Sequence, residues 1–276
     1  RSVPGGIQML GKLLKFDLKY EMKVFILLHV IIVFASVLGR LIFLDPLSFS
    51  NPDGALVSQV VLFSSAIFFL LMAACFCTWL IIAFRFYRNL FTGEGYLSWT
   101  LPASGIQHLW AKIISGCIWY LLNCFIEAGC VLFLVSGSNV TEAYSHIAPE
   151  VTAELGIPLS TFALVLFLLM LVSGPVSVIQ TYFCVVIGQL FPAHRILGAV
   201  AAYFVSSFVI QILSFVLQMG TGLLPEAFFI AQTGSDTQFA TYFFATIGFS
   251  CIMMFIIAII QYCVIHYIMK EKINLL

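Results

Sequence analysis

The chain is 276 residues long, 62% hydrophobic and only 9% charged, with twelve Lys and Arg against twelve Asp and Glu. A soluble domain carries about a quarter charged residues. That class is excluded, and the expected fold is all-α: a single polytopic transmembrane domain over residues 1–276, with six transmembrane helices and no nucleic-acid partner. Its eight cysteines (75, 77, 117, 124, 130, 184, 251 and 263) all fall inside apolar runs, where cysteine behaves as a small hydrophobe. Cys75 and Cys77 point to different faces of a helix, so neither a metal clip nor a disulfide framework is visible.

Residues 7–23 place Met9, Leu13, Leu14, Phe16 and Tyr20 on one side and Lys12, Lys15, Lys19 and Lys23 largely on the other. That pattern predicts an amphipathic interfacial helix lying along anionic headgroups of the lipid bilayer. The apolar run that follows is long enough to stay as an anchor, and the first span is predicted over 24–44. A turn-forming loop, 45–54, leads to a second span at 60–84. Residues 85–108 interrupt the apolar pattern before a third span at 109–135. The stretch 136–160 reads as an acidic outer loop carrying Glu142, Glu150 and Glu154. Asn139-Val140-Thr141 fits a glycosylation sequon there.

The fourth span, 161–190, would be about 45 Å long against a hydrocarbon core of about 30 Å. It must tilt, project or kink, with Gly174-Pro175 marking the kink. A short turn over 191–195 leads to the fifth span, 197–219. Residues 220–240 are apolar but broken by Gly222, Pro225 and Gly234, which suggests an outer, re-entrant segment that dips into the leaflet without crossing. The sixth span is predicted over 241–269.

Six spans put eleven of the twelve basic residues on one side of the membrane and leave only Arg40 on the other. Basic loops stay inside, so both termini and residues 85–108 are expected to be cytoplasmic. Within 85–108, Arg85, Phe86, Arg88, Asn89 and Leu90 are spaced as in a short amphipathic helix. Gly93 and Gly95 then break it, and Leu101-Pro102 stops any new helix before Lys112 re-enters the membrane. A short exposed helix between two spans is built to touch something other than lipid.

No phosphate-binding loop, HExxH or His/Cys cluster at metal spacing is present. No catalytic, cofactor-binding or metal-ligating residue is expected, and the chain does not read as an enzyme. The one acid deep in a span is Glu127, eight residues before the predicted helix end and about 12 Å below the surface. It should be protonated or hydrogen-bonded there, with Arg40 as the favoured partner. In the fifth span Ser207, Gln211, Ser214 and Gln218 recur at intervals of four, three and four, a single helix face. Gly198, Ala202 and Ser206 form a small-xxx-small series. The fourth span repeats the idea with Ser173, Ser177, Gln180 and Cys184. These stripes fit either helix–helix packing or the lining of a pathway, and the Ser207–Gln218 face is expected at a subunit interface or a central cavity.

The block FYRNLFTGEGYLSWTLPAS (86–104) followed by Lys112 resembles the loop between the second and third spans of the membrane subunits of type-2 ATP-binding-cassette exporters. The likeness is to the compact permeases of Gram-positive bacteria. VIGQLFPAHRILGA (186–199) is similar to that family's junction between spans four and five. The resemblance implies a permease in the cell membrane, paired with a second copy or a similar permease and driven by a separate cassette ATPase subunit. ATP and magnesium would belong to that subunit, and no cofactor to this chain. It implies that Arg85, Phe86, Arg88, Asn89, Leu90, Phe91, Gly93, Glu94, Gly95, Tyr96 and Leu97 form the element that docks on the ATPase. In that picture Phe86, Leu90, Phe91 and Tyr96 supply buried contact area, while Arg88 and Glu94 fix orientation. The abundance of Phe and the scarcity of charge in the spans suggest an amphipathic or hydrophobic cargo. Two other classes remain open: a membrane-embedded sensor or scaffold subunit, and an ion-coupled secondary transporter.

Overall fold

A computed structural model describes residues 6–47, 54–223 and 236–271, and every regular element among them is helical. In chain order these are α1 (Gly6–Gly39, closed by a π-turn over Arg40–Leu44), α2 (Gly54–Phe91), α3 (Gly93–Trp99) and α4 (Gly105–Val135). After them come α5 (Ser138–Leu155), α6 (Leu159–Gly188), α7 (Arg195–Gly220) and α8 (Asp236–Glu271). Six of the helices (α1, α2, α4, α6, α7 and α8) are long and apolar enough to cross a membrane. The chain is a multi-pass membrane protein. Of the expected turn over 45–54, residues 48–53 lie outside the described residues, as do 224–235 of the expected re-entrant segment over 220–240. Of the latter's two ends, α7 runs through Gly220 and α8 already begins at Asp236.

Several boundaries differ from the sequence reading. No break separates an interfacial helix from the first span: α1 is one helix of 34 residues. Helix α2 does not stop at 84 but runs on through Phe91, so 85–91 is its last two turns rather than a separate exposed helix. The expected loop at 136–160 contains α5, an 18-residue helix that tolerates Pro149 and ends on Gly156 at φ 68°. A left-handed C-cap of this kind is where glycine carries no Cβ penalty. Helix α6 stays one helix through Pro175. Helix α4 starts earlier than expected, at Gly105, because Ser104 and Gln107 form a capping box at its first turn.

The bundle is organised around α4 and α6. Helix α4 packs most extensively on α1 and also touches α2, α6 and α8; α6 packs on α7, α8, α4 and α2. A core cluster fills the end of the bundle where α1 starts, joining Phe25, Phe86, Leu90, Trp119, Val178, Tyr182 and Ile265. There the Phe86 ring stacks on Tyr182 with centroids 3.8 Å apart, and Phe25 stacks on Trp119 at 4.4 Å. Gly188 lets the α6–α7 turn close. A Cβ at that position would lie 2.6 Å from the Arg195 carbonyl oxygen and 2.7 Å from the Ala199 nitrogen.

Candidate functional site

The end of the bundle that carries most of the basic residues holds a closed charge network. Asp17 and Glu21, one turn apart on α1, face α4 and α2 and are buried. Lys112 of α4 pairs with Asp17 through its ammonium group, and the Asn89 side-chain amide donates to the same carboxylate at 3.3 Å. Ser115 Oγ donates to Glu21 at 2.9 Å. Arg85 lies 3.7 Å from Glu21, 3.9 Å from Glu94 of α3, and 3.7 Å above the Tyr20 ring. Arg88 completes the set by donating to Glu94 at 2.8 Å. Three cations therefore face three carboxylates, and Arg85 is the member that touches both α1 and α3.

Arg85 is held by charge and by the Tyr20 ring, yet its buried Nε and Nη1 have no hydrogen-bond partner among the described residues. The network is thus well paired at Lys112 and loosely paired at Arg85. Tyr182 of α6 supports it from below by donating to the Lys112 carbonyl at 3.0 Å.

This geometry corrects the expected docking element. Phe86, Leu90 and Phe91 are 0%, 1% and 6% exposed and belong to the core of this chain. Arg85 and Asn89 are buried as well. None of these five presents itself to a partner. The apolar side of this stretch is covered by the protein's own core, and two of its polar residues, Arg85 and Asn89, are turned onto α1. Among the predicted docking residues, the exposed or half-exposed ones are Arg88, Gly93 and Glu94. Gly95 is buried, and its missing Cβ matters: one built there would lie 2.6 Å from the Leu90 carbonyl oxygen. Tyr96 and Leu97 are on α3, but their side chains lie outside the described residues. Trp99, to which the sequence assigned no role, ties α3 down by donating to the Leu90 carbonyl at 3.1 Å and packing on His108 at 5.5 Å. The surface left open around α3 includes Leu101, Pro102 and Ile106.

The two intramembrane polar residues are not paired with each other. Arg40 donates to the Phe133 carbonyl at 2.8 Å and to Ser136 Oγ at 2.9 Å, and its guanidinium lies 4.5 Å from the Phe133 ring centre. Asp45 sits 3.5 Å from its Nε. Beside it, Asn139 donates its amide to the Leu44 and Leu47 carbonyls at 2.6 and 3.0 Å, so that side chain fastens the end of α1 to α5. Glu127 turns instead toward α2. It accepts from Asn123 Nδ2 at 2.8 Å and contacts Cys75 Sγ at 3.2 and 3.4 Å. A polar contact at Glu127 is present, but Arg40 is not its source.

The small and polar stripes of α6 and α7 meet each other. Gln180 donates to Ser207 at 3.2 Å, and Cys184 lies 3.6 Å from Ser206. Ser207 is therefore used inside the chain. Gln211 is exposed, Ser214 and Gln218 are half-exposed, and none of the three side chains has a hydrogen-bond partner among the described residues. Between α2, α4, α6 and α7 lies a cavity of about 710 Å³, walled by Cys75, Phe76, Trp79, Tyr120, Thr181 and Tyr203 among others. Trp79 donates to Thr181 at 2.7 Å across it. No charged side chain lines it.

Asp17 and Glu21 escaped the sequence reading. Their signal was there: both fall on the side of α1 shared with Leu13, Leu14 and Tyr20, away from the lysines. Two carboxylates on an apolar face must find cations, and Arg85 and Lys112 were at hand. No group of three or more His, Cys, Asp or Glu suited to a metal ion occurs among the described residues. No protein-family model, curated protein or solved structure matches the chain.

Proposed function

We propose that this chain is the permease subunit of an ATP-binding-cassette exporter in a bacterial cell membrane, paired with a second copy or a similar permease. The charged end of the bundle is cytoplasmic in this reading, because basic residues are retained there. The observation that carries it is α3, a seven-residue helix propped on the ends of α2 and α4 and wired by Glu94 to Arg85 and Arg88. Arg85 in turn reaches Glu21 of α1. A push on α3 from outside would pass through Arg85 to α1 and, through Lys112, to α4. None of the segments joining the helices has room for a nucleotide-binding domain, which needs a core of order 100 residues. In this reading the motor is a separate subunit that holds ATP and magnesium.

The docking surface in this reading is the exposed one: Arg88, Gly93, Glu94, Leu101, Pro102 and Ile106. Expression together with the coding sequences that flank it tests the idea. A cassette ATPase should co-purify with the wild-type chain, and Leu101→Asp combined with Ile106→Asp should release it while the permease stays in the membrane. An ATPase that binds the double variant as well as the wild type would remove this surface from the mechanism. An ATPase stimulated by the chain with no cargo moved would favour the sensor class instead.

A further inference from the structure

We propose that the cavity between α2 and α7 binds an anionic phospholipid, one acyl chain lying in it and the phosphate held by Arg195 at its mouth. The proposal does not depend on the exporter reading. Helices α2 and α7 both pack on α6 rather than on each other, so a lengthwise gap stays open between them. The rings of Trp79 and Tyr203 meet across it, with centroids 5.2 Å apart. As the second and fifth spans, the two helices run antiparallel, and both rise about 1.5 Å per residue. That ring contact therefore sets the register to within about a turn. Phe76 falls level with Phe204, Leu80 with Val200, and Phe84 with Ile196. Gln211 and Gln218 lie beyond the cavity, toward the other end of α7.

Those six side chains are exposed and form two ridges, each at the four-residue spacing of one helix face. The cavity is thus open to the bilayer along its length. Its walls carry no charge, and its volume of about 710 Å³ is that of a ligand pocket. From Met72 to Tyr87, the first and last α2 residues in its wall, α2 rises about 22 Å. That volume over that length gives a mean cross-section on the order of 30 Å². A helix with its side chains, 10–12 Å across, needs roughly 80–110 Å². A helix of a second copy does not fit into the slot. A single hydrocarbon chain does.

Groups suited to a headgroup stand at one end. By the same register Tyr87 falls level with Arg195, the first residue of α7, one position before Ile196 of the cavity wall. Tyr87 is half-exposed and Arg195 exposed, and neither side chain has a hydrogen bond or ion pair among the described residues. The other cations of the adjoining helix ends, Arg85, Arg88 and Lys112, are committed to carboxylates. Arg195 is thus the cation at the mouth left for a ligand. A guanidinium takes phosphate as a bidentate partner, and a tyrosine with an apolar ring and a polar hydroxyl suits the headgroup level. A zwitterionic lipid brings its own ammonium to its phosphate, so a net-negative lipid gains more from Arg195.

Trp79 is a built-in reporter. It stands eight residues from Tyr87 along α2, about 12 Å inward from the mouth, where a chain in the cavity must pass it. Bromine atoms on an acyl chain quench indole fluorescence on contact. The full chain is placed in phosphatidylcholine nanodiscs doped with phosphatidylglycerol or phosphatidylcholine brominated near mid-chain. The difference between wild type and Trp79→Phe isolates the Trp79 emission. Half-maximal quenching of it is expected at about a five-fold lower mole fraction of the brominated phosphatidylglycerol, the factor one cation near the surface supplies. Arg195→Gln should bring the two lipids level while both still quench, and Arg195→Lys should keep most of the preference. Arg195 is exposed, so wild type against Arg195→Gln still decides if Trp79→Phe does not fold. Equal quenching by both lipids in the wild type, or a preference untouched in Arg195→Gln, overturns the proposal. So does a Trp79 emission that neither lipid quenches, which would put a second copy over the cavity.

Discussion

Lys112 and Asp17 show what a buried charge pair does in this bundle. The pair is sealed by Asn89, Tyr182 and the core aromatics, so each charge has the other as its main compensation. Removing one partner of a buried pair costs about 3–5 kcal/mol, because the other is left unpaired, whereas replacing both by apolar groups is often neutral. Lys112→Met should therefore destabilise the chain by that amount in thermal unfolding in detergent. The double variant Lys112→Met with Asp17→Leu should recover most of the loss. A double variant that unfolds at the sum of the two single losses would show that the pair is not coupled. Arg85 should behave differently. It shares two carboxylates at 3.7 and 3.9 Å and an aromatic face, so no single partner holds it and its removal is spread over α1 and α3.

At the level of elements, α3 depends on two glycines with opposite demands. A Cβ at Gly93 meets nothing within 4 Å, while one at Gly95 would collide with the Leu90 backbone carbonyl. Gly93→Ala should be tolerated, and Gly95→Ala should lift α3 off α2 and break the Trp99–Leu90 bond. Hydrogen exchange reads this as faster exchange across Gly93–Trp99 in Gly95→Ala alone; equal protection in both variants would contradict it. These details were beyond a sequence reading, although the spans were not. A run of about 20 apolar residues announces a spanning helix by itself, and six such runs were legible. Helix α5 was not, because Glu142, Glu150 and Glu154 are exposed and a solvated helix needs no apolar stripe. The end of α2 read as an exposed amphipathic helix, yet both its apolar residues and Arg85 and Asn89 are buried. Periodicity says which residues share a face, and it is silent on which helix will lie against it. The same silence misplaced Arg40. Depth along the helix put it on the same side as Glu127, but the direction around the helix axis sent it to Phe133 and Ser136.

For the whole molecule the open question is what covers α7. This helix packs chiefly along α6, and Gly198 is its one buried residue. Apolar exposure alone means little here, since lipid satisfies a leucine or phenylalanine face as well as protein does. Amide groups are different. Gln211 and Gln218 stand outside the α6–α7 seam without hydrogen bonds among the described residues, and in hydrocarbon an unsatisfied amide is costly. A second copy presenting the same stripe would pair glutamine with glutamine across a two-fold axis, the commonest symmetry of homo-oligomers. Cysteines introduced at Gln211 or Gln218 should then crosslink between copies in native membranes, well above the level given by the parent chain's own cysteines. Ser207→Cys supplies the internal control. Its position is occupied by Gln180 of the same chain, so it should crosslink poorly. Efficient dimer formation through position 207 but not through 211 or 218 would place the contact elsewhere. Ready labelling of Gln211→Cys by a lipid-restricted reagent, with no crosslinked dimer, would leave α7 facing the bilayer and remove the paired arrangement from the proposed exporter.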